Sequence, residues 1–159
     1  VERKQIKVIY NKTVTFDDVK HENPDKVIVA TGSKPFNPNI EGVDTTVAAW
    51  DVLNGDVTLP ENGIALVLGG GILGCEIAEI LADKGNQTTV IEITSQIAAG
   101  LEPFHRLHLL SDFDENDKLN ALTDSVVTKI ISKNVTYKCG EEEKILEETS
   151  LYPHLGRNL

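Results

Sequence analysis

Three glycines in the middle of the chain have the spacing of a phosphate-binding turn. Gly69, Gly71 and Gly74 form the pattern GxGxxG, and Ile72 and Leu73 lie within the same predicted binding turn. The first glycine permits a tight bend after a strand, the second lets a pyrophosphate approach the backbone, and the third allows close helix packing. The following helix offers unpaired N–H groups and the positive end of its dipole. The pattern therefore predicts dinucleotide binding.

The elements around these glycines are those that a dinucleotide site requires. An apolar strand from Ile64 to Leu68 leads into the turn, and a helix runs from the turn to about Lys84. A second strand from Gln87 to Glu92 completes a unit of about 30 residues, the length expected of a dinucleotide-binding βαβ unit. The alternative is a glycine-rich turn that serves only for packing.

Glu92 is the candidate that selects the nucleotide. A carboxylate at the end of the second strand accepts hydrogen bonds from ribose hydroxyls and repels a 2′-phosphate. The next basic residue along the chain is Arg106. NAD(H) is therefore predicted in preference to NADP(H), unless Glu92 only caps an exposed strand end.

The remaining pattern predicts an α/β fold, with a Rossmann-like parallel sheet flanked by helices and an antiparallel β-meander. Helices are expected over about 47–54 and from Pro103, the latter with Phe104, Leu107, Leu110 and Phe113 buried. Period-two segments at 126–131, 134–138 and 144–147 predict the meander. Apolar segments at 6–10 and 26–30 predict two earlier strands, the second of the buried kind. Pro153 argues against an interior strand near the end of the chain.

Composition excludes several classes of function. The chain has 15 basic and 25 acidic residues, a net charge of −10, which argues against nucleic-acid binding. No apolar run is long enough to span a membrane, and no signal peptide opens the sequence, so a soluble cytoplasmic protein is expected. Cys75 and Cys139 lie far apart, and neither the cysteines nor the histidines have metal-ligand spacing, so no metal site is predicted.

Three segments resemble a family of flavoproteins. The segment from Asp25 to Pro35, followed by Ile40 to Asp44, looks like the ATG segment of two-dinucleotide flavoproteins, and Leu68 to Glu76 resembles their NAD-binding turn. The resemblance is to the pyridine nucleotide-disulfide oxidoreductase-like NAD/FAD module of 2-enoate reductase, 2,4-dienoyl-CoA reductase and NADH:flavin oxidoreductases related to old yellow enzyme. Residues 98–104 also fit this subgroup.

This resemblance implies an electron relay. NADH would pass hydride to FAD, and electrons would continue through an iron–sulfur cluster to an FMN barrel that reduces an activated C=C bond. By the same likeness, Thr31 and Gly32 would contact FAD, and Gly69, Gly71, Gly74 and Glu92 would contact NADH. Glu76 would lie near the nicotinamide end.

The chain also departs from the family pattern. No second glycine fingerprint is present, so FAD is expected only in the complete protein and the chain alone is expected to be inactive. Residues 1–46 are interpreted as the C-terminal remnant of an FAD-binding domain plus a connector, and 47–159 as an NAD-binding domain. The expected partners are the missing FAD and FMN-barrel portions, or a second copy paired through the open strand. The alternative function is a non-enzymatic nucleotide-sensing or structural module.

Overall fold

A computed structural model of the chain describes residues 6–32, 36, 38–147 and 150–153. The chain forms two compact units, residues 1–32 and 33–159. Their helices and strands, in chain order, are α1 (Phe16–Glu22), α2 (Ala49–Asn54), β1 (Ile64–Leu68), α3 (Ile72–Asp83), β2 (Gln87–Ile91), α4 (Pro103–Glu115), β3 (Leu119–Leu122), β4 (Ser125–Ile131), β5 (Asn134–Cys139), β6 (Glu142–Leu146) and β7 (Ser150–Pro153).

The first unit contains the short helix α1, which begins with a capping box. The Thr15 hydroxyl accepts a hydrogen bond from the Asp18 N–H, and the Asp18 carboxylate accepts one from the Thr15 N–H at 2.8 Å. These bonds satisfy two donors at the helix end. The Lys12 ammonium lies 2.7 Å from the Asp18 carboxylate and, with the bonds from Thr15, holds the pKa of that carboxyl well below its usual range.

The second unit is built on a four-stranded sheet in the order β3-β2-β1-β7, and every pair in it is parallel. Strands β4, β5 and β6 form a separate antiparallel sheet. Such a parallel arrangement with intervening helices is the Rossmann-like α/β fold that the sequence predicts. The predicted meander is likewise confirmed.

The two faces of the parallel sheet bury different partners. Ala65, Val67 and Val90 belong to a core that the helices α2, α3 and α4 share. Leu66 and Ile91 belong instead to a core with the meander strands β4 and β5. Strand β1 is covered on both faces, so its sequence is an apolar run rather than an alternating one, whereas β2, also covered, begins with Gln87, Thr88 and Thr89. This double cover fixes the carboxyl ends of β1 and β2, where the glycine turn begins.

The early strands predicted at 6–10 and 26–30 are not formed. Neither segment is a strand in the structure, and Val27, Ile28 and Val29 are exposed, Ile28 by 89%. A buried parallel strand needs a neighbouring strand and a covering layer, and the described part of the first unit supplies neither. Apolar composition alone therefore gave the wrong prediction for 26–30.

Helix α4 buries a different face from the one predicted. Phe113 is buried and Leu110 packs on the core, but Phe104 and Leu107 are exposed, and Leu109 is buried instead. The predicted set is spaced by three residues. At about 100° per residue such a set drifts by about 180° between its first and last members, so Phe104 and Phe113 lie on opposite faces.

A strand forms near the end of the chain, where Pro153 argued against an interior one. Strand β7 pairs in parallel with β1, and Leu68 lies opposite Pro153. Within the described sheet β7 is an edge strand, and Pro153 is its last residue. A proline, which donates no ladder bond, is compatible with an edge strand.

Candidate dinucleotide-binding site

The glycine turn begins where β1 ends. Gly69 has φ 98°, in the left-handed region that favours glycine, and its N–H donates to the Ile91 carbonyl at 2.8 Å. Gly71 is the N-cap of α3, and no side chain caps the helix there. The first helical bond runs from the Cys75 N–H to the Gly71 carbonyl, at 3.0 Å. The chain thus turns from strand to helix within three residues.

The first turn of α3 is suited to an anion. Ile72, Leu73 and Gly74 supply its first N–H groups, which have no partner within a helix. No acidic side chain lies in this turn. Gly74 is buried, Leu73 packs partly on the helix-side core, and Ile72 is exposed. The sequence-predicted glycines therefore lie together at one helix N-terminus, whose dipole favours phosphate.

Glu92 lies beside this turn, immediately after β2. Its side chain is buried, and one carboxylate oxygen, Oε2, accepts the Gly70 N–H at 2.7 Å. The other oxygen, Oε1, accepts both the N–H and the hydroxyl of Thr94, each at 2.8 Å. A carboxylate has about four acceptor positions, so one position on Oε2 is left for a further donor such as a ribose hydroxyl. The structure thus brings Glu92 to the glycine turn, as a ribose-binding role requires.

Gly70 is a site residue that the sequence analysis missed. A Cβ at this position would lie 2.7 Å from Ile97 Cγ2 and 3.0 Å from Glu92 Cβ, so only glycine fits without a shift. Its carbonyl accepts the Ala98 N–H at 2.6 Å. The uninterrupted run of three glycines was the available signal, because the GxGxxG pattern itself requires only the first and third of them.

The other predicted site residues lie elsewhere. Glu76 is exposed on α3, one turn beyond the anion-facing end, and its place near a nicotinamide stays a prediction. Thr31 and Gly32 are exposed and belong to the first unit. Their contact with FAD likewise stays a prediction.

A cavity of about 260 Å³ adjoins Gly69 and Glu92. It lies at the carboxyl ends of β1 and β2, which is the edge of a parallel sheet where ligands bind. Its walls are largely apolar and include three residues of the segment before α2 and the start of β4. The lining residues are Phe36, Pro38, Ile40, Leu68, Gly69, Ile91, Glu92, Ile93, Ser125, Val126 and Val127.

A larger cavity, of about 670 Å³, lies between α3 and α4 and is unsuited to a dinucleotide. Its walls carry the carboxylates of Glu79, Asp83, Asp112, Glu115 and Asp117. Partial burial and the neighbouring Asp112 carboxylate raise the pKa of Glu79. Such a surface repels phosphate, so the smaller cavity beside the glycine turn is the better candidate.

Two negative findings apply to the described part of the chain. Within it, no group of three or more His, Cys, Asp or Glu side chains is arranged to hold a metal ion. None of the helices there has the length and apolar character needed to cross a membrane.

Comparison with known proteins establishes the family. Residues 1–152 match the family model described as pyridine nucleotide-disulphide oxidoreductase. The chain belongs to this family. Family members use NAD(P)H and FAD, which supports a redox role with a pyridine nucleotide and a flavin.

Two curated relatives and one solved structure are similar over most of the chain. An NADH oxidase of Thermoanaerobacter brockii is 36% identical over 146 residues, covering 89% of this chain and 22% of the relative. A cinnamate reductase of Clostridium sporogenes is 28% identical over 153 residues, covering 95% and 23%. A 2-naphthoyl-CoA reductase structure matches with TM-score 0.74 and 26% identity, over 99% of this chain and 24% of that one. The chain thus spans less than a quarter of each of these proteins.

Proposed function

We propose that this chain is the NADH-binding part of a flavin-dependent oxidoreductase. In this function it holds the hydride donor for an FAD, and the electrons reduce an activated C=C bond elsewhere in the full protein. The observation that carries the proposal is the junction of the glycine turn with Glu92, through the 2.7 Å bond from the Gly70 N–H to the carboxylate. That junction combines an anion-binding helix end with a ribose acceptor.

The residues of the chain contribute binding and orientation. The N–H groups at the start of α3 hold the pyrophosphate, and Gly71 leaves room for it beside the backbone. Glu92 accepts a ribose hydroxyl at the free position on Oε2. NADH supplies the hydride when it is bound. The protein contributes by holding NADH in one fixed geometry. Glu76 is proposed to lie near the nicotinamide end.

The relatives support the reaction proposed for the full protein. Two of the three compared proteins are named as reductases of cinnamate and of 2-naphthoyl-CoA, and each is about four times as long as this chain. The missing FAD and FMN-barrel portions are the partners that such a reaction requires. FAD is proposed only for the complete protein, in which Thr31 and Gly32 contact it. A nucleotide-sensing or structural module would share the site but not those partners.

Titration with NADH tests the binding site. The chain is titrated by calorimetry and by nicotinamide fluorescence, next to Gly71→Val, whose side chain would occupy the pyrophosphate position. We expect saturable binding by the parent and none by Gly71→Val. Gly63→Ala is the matched control at the other end of β1, because a Cβ there meets Asn86 Oδ1 at an ordinary 3.4 Å.

The outcomes separate the proposed functions. Equal binding by Gly71→Val and the parent would show that the glycine turn is structural only. If NADH binds as expected, the same titration of the complete protein distinguishes an enzyme from a sensor. NADH must then bleach the flavin absorbance, and binding without bleaching favours the nucleotide-sensing module.

A further inference from the structure

The loop between β2 and α4 is fastened to the glycine turn from two sides. The Ala98 N–H donates to the Gly70 carbonyl at 2.6 Å, and the Gly70 N–H donates to Glu92 at 2.7 Å. The side chain of Ile97 packs where a Cβ of Gly70 would stand. Both peptide groups of Gly70 are therefore fixed by this loop and by Glu92.

Ala98 holds its place in an unfavourable backbone conformation. It has φ 53°, in the left-handed region, and its side chain is fully buried. Alanine rarely adopts this conformation, so the surrounding structure must stabilise it here. Ile97 and Ala98 are both buried in the helix-side core, and a polar contact from outside the segment adds to this packing in keeping them against Gly70.

Arg106 supplies this polar contact. It lies in the first turns of α4, and its Nε–H donates to the Ile97 carbonyl at 3.1 Å, in a partly buried setting. A charged donor makes a stronger hydrogen bond than a neutral one, and partial burial limits its competition with water. This bond links Arg106 of helix α4 to Ile97, which directly precedes Ala98 and lies nine positions earlier in the chain.

We propose that Arg106 is a positioning residue of the dinucleotide site. The inference rests on the proposed function and deepens it. In this role Arg106 acts through the Ile97 carbonyl and not by contact with phosphate or ribose. By holding the Ile97 carbonyl it keeps the Ala98 N–H on Gly70, and so keeps the Gly70 N–H on Glu92. The orientation of the ribose acceptor and of the turn before α3 thus depends on a side chain of α4.

The test compares three variants of the full chain. Arg106→Met keeps the aliphatic length but removes every donor, Arg106→Lys keeps the charge and a donor, and Lys138→Met makes the same charge change on β5. We expect NADH to bind about tenfold more weakly to Arg106→Met, the effect of one charge-assisted hydrogen bond. Arg106→Lys should recover most of the affinity, and Lys138→Met should bind as the parent does.

Two further measurements separate positioning from a general loss of stability. The affinity ratio of NADH to NADPH should fall in Arg106→Met, because Oε2 of Glu92, the oxygen with the free acceptor position, loses the Gly70 N–H that orients it. Amide hydrogen exchange should accelerate at Gly70 and Ala98 but not at Val67 in β1. Should Arg106→Met fail to fold, Arg106→Gln, which keeps a neutral donor, is expected to show the same direction of change with a smaller loss.

The results distinguish a failure of the inference about Arg106 from a failure of the proposed function. If the parent binds NADH and Arg106→Met binds it with the same affinity and the same NADH to NADPH ratio, the inference about Arg106 is wrong and the proposed function stands. If the parent binds neither nucleotide, the proposed function is wrong and the inference is lost with it.

Discussion

Glu92 has a structural role as well as the proposed binding role. It is a buried carboxylate that accepts three hydrogen bonds, one from Gly70 and two from Thr94. Removing such an acceptor leaves a buried N–H unsatisfied at a cost of about 1–3 kcal/mol. A substitution of Glu92 that removes the acceptor therefore changes stability as well as binding, and the two effects must be measured separately.

Nucleotide choice is the prediction that belongs to Glu92. We expect NADPH to bind at least several-fold more weakly than NADH, because the carboxylate repels a 2′-phosphate. Glu92→Gln keeps an oxygen acceptor for the Gly70 N–H but removes the charge, so its NADH to NADPH affinity ratio should move toward one. Parallel calorimetric titrations measure the ratio, and Glu61→Gln provides the same charge change at an exposed position. Equal affinities of the parent for both nucleotides would contradict the role given to Glu92.

Residues of the candidate site could be predicted from the sequence only where they belong to a short local pattern. The fingerprint glycines and Glu92 were found from spacing alone, and the structure brings them together. Gly70, Ala98 and Arg106 were missed as contributors. Their roles depend on packing between β2, the following loop and α4, and no short-range pattern in the sequence reports such a contact.

Among the elements, those with strong periodicity were predicted almost to the residue. Helix α3 ends at Asp83 against a predicted end near Lys84, and β2 ends at Ile91 against Glu92. Strand β3 was missed, because its four residues are too few to show a period. The prediction of helix α4 is confirmed but that of its buried face is wrong, because apolar residues three positions apart do not follow one face of a helix.

The acidic surface between α3 and α4 gives a prediction about how stability depends on pH. The pKa of Glu79 is raised, first by partial burial and then by the nearby Asp112 carboxylate. When the pKa of a carboxyl is higher in the folded than in the unfolded state, its contribution to the free energy of unfolding is fully present below the unfolded pKa. That contribution is lost as the pH rises through the folded pKa. Once Glu79 is ionised, its charge therefore destabilises the folded chain.

We expect Glu79→Gln to be more stable than the parent at pH 7, by about 0.5 kcal/mol after allowance for solvent screening. The difference should shrink as the pH falls toward 4.5, the ordinary value of the carboxyl, and vanish below it. Denaturant unfolding at a series of pH values measures it, with Glu147→Gln as an exposed control. A difference independent of pH would show that charge on Glu79 is not the cause.

At the scale of the whole molecule, the two units differ in how much they bury. No residue of the described segment 6–32 is buried, whereas the second unit has one core on each face of its parallel sheet. The exposed apolar residues at 27–29 belong to the first unit. Burial of apolar area is the main source of folding free energy, so the two units should differ greatly in resistance to local opening.

Amide hydrogen exchange on the 159-residue chain tests this difference. Amides of Val67 and Val90 lie in fully buried strands and should exchange only with global unfolding, whereas those at 26–30 should exchange near the rate of an unfolded peptide. The amides late in α1 serve as an internal reference, since they are hydrogen-bonded within a helix that has no buried residue. Protection at 26–30 equal to that of β1 would contradict the prediction. If that protection disappeared on dilution, a second copy would be covering the segment, because an open apolar segment gains most from pairing with its own kind.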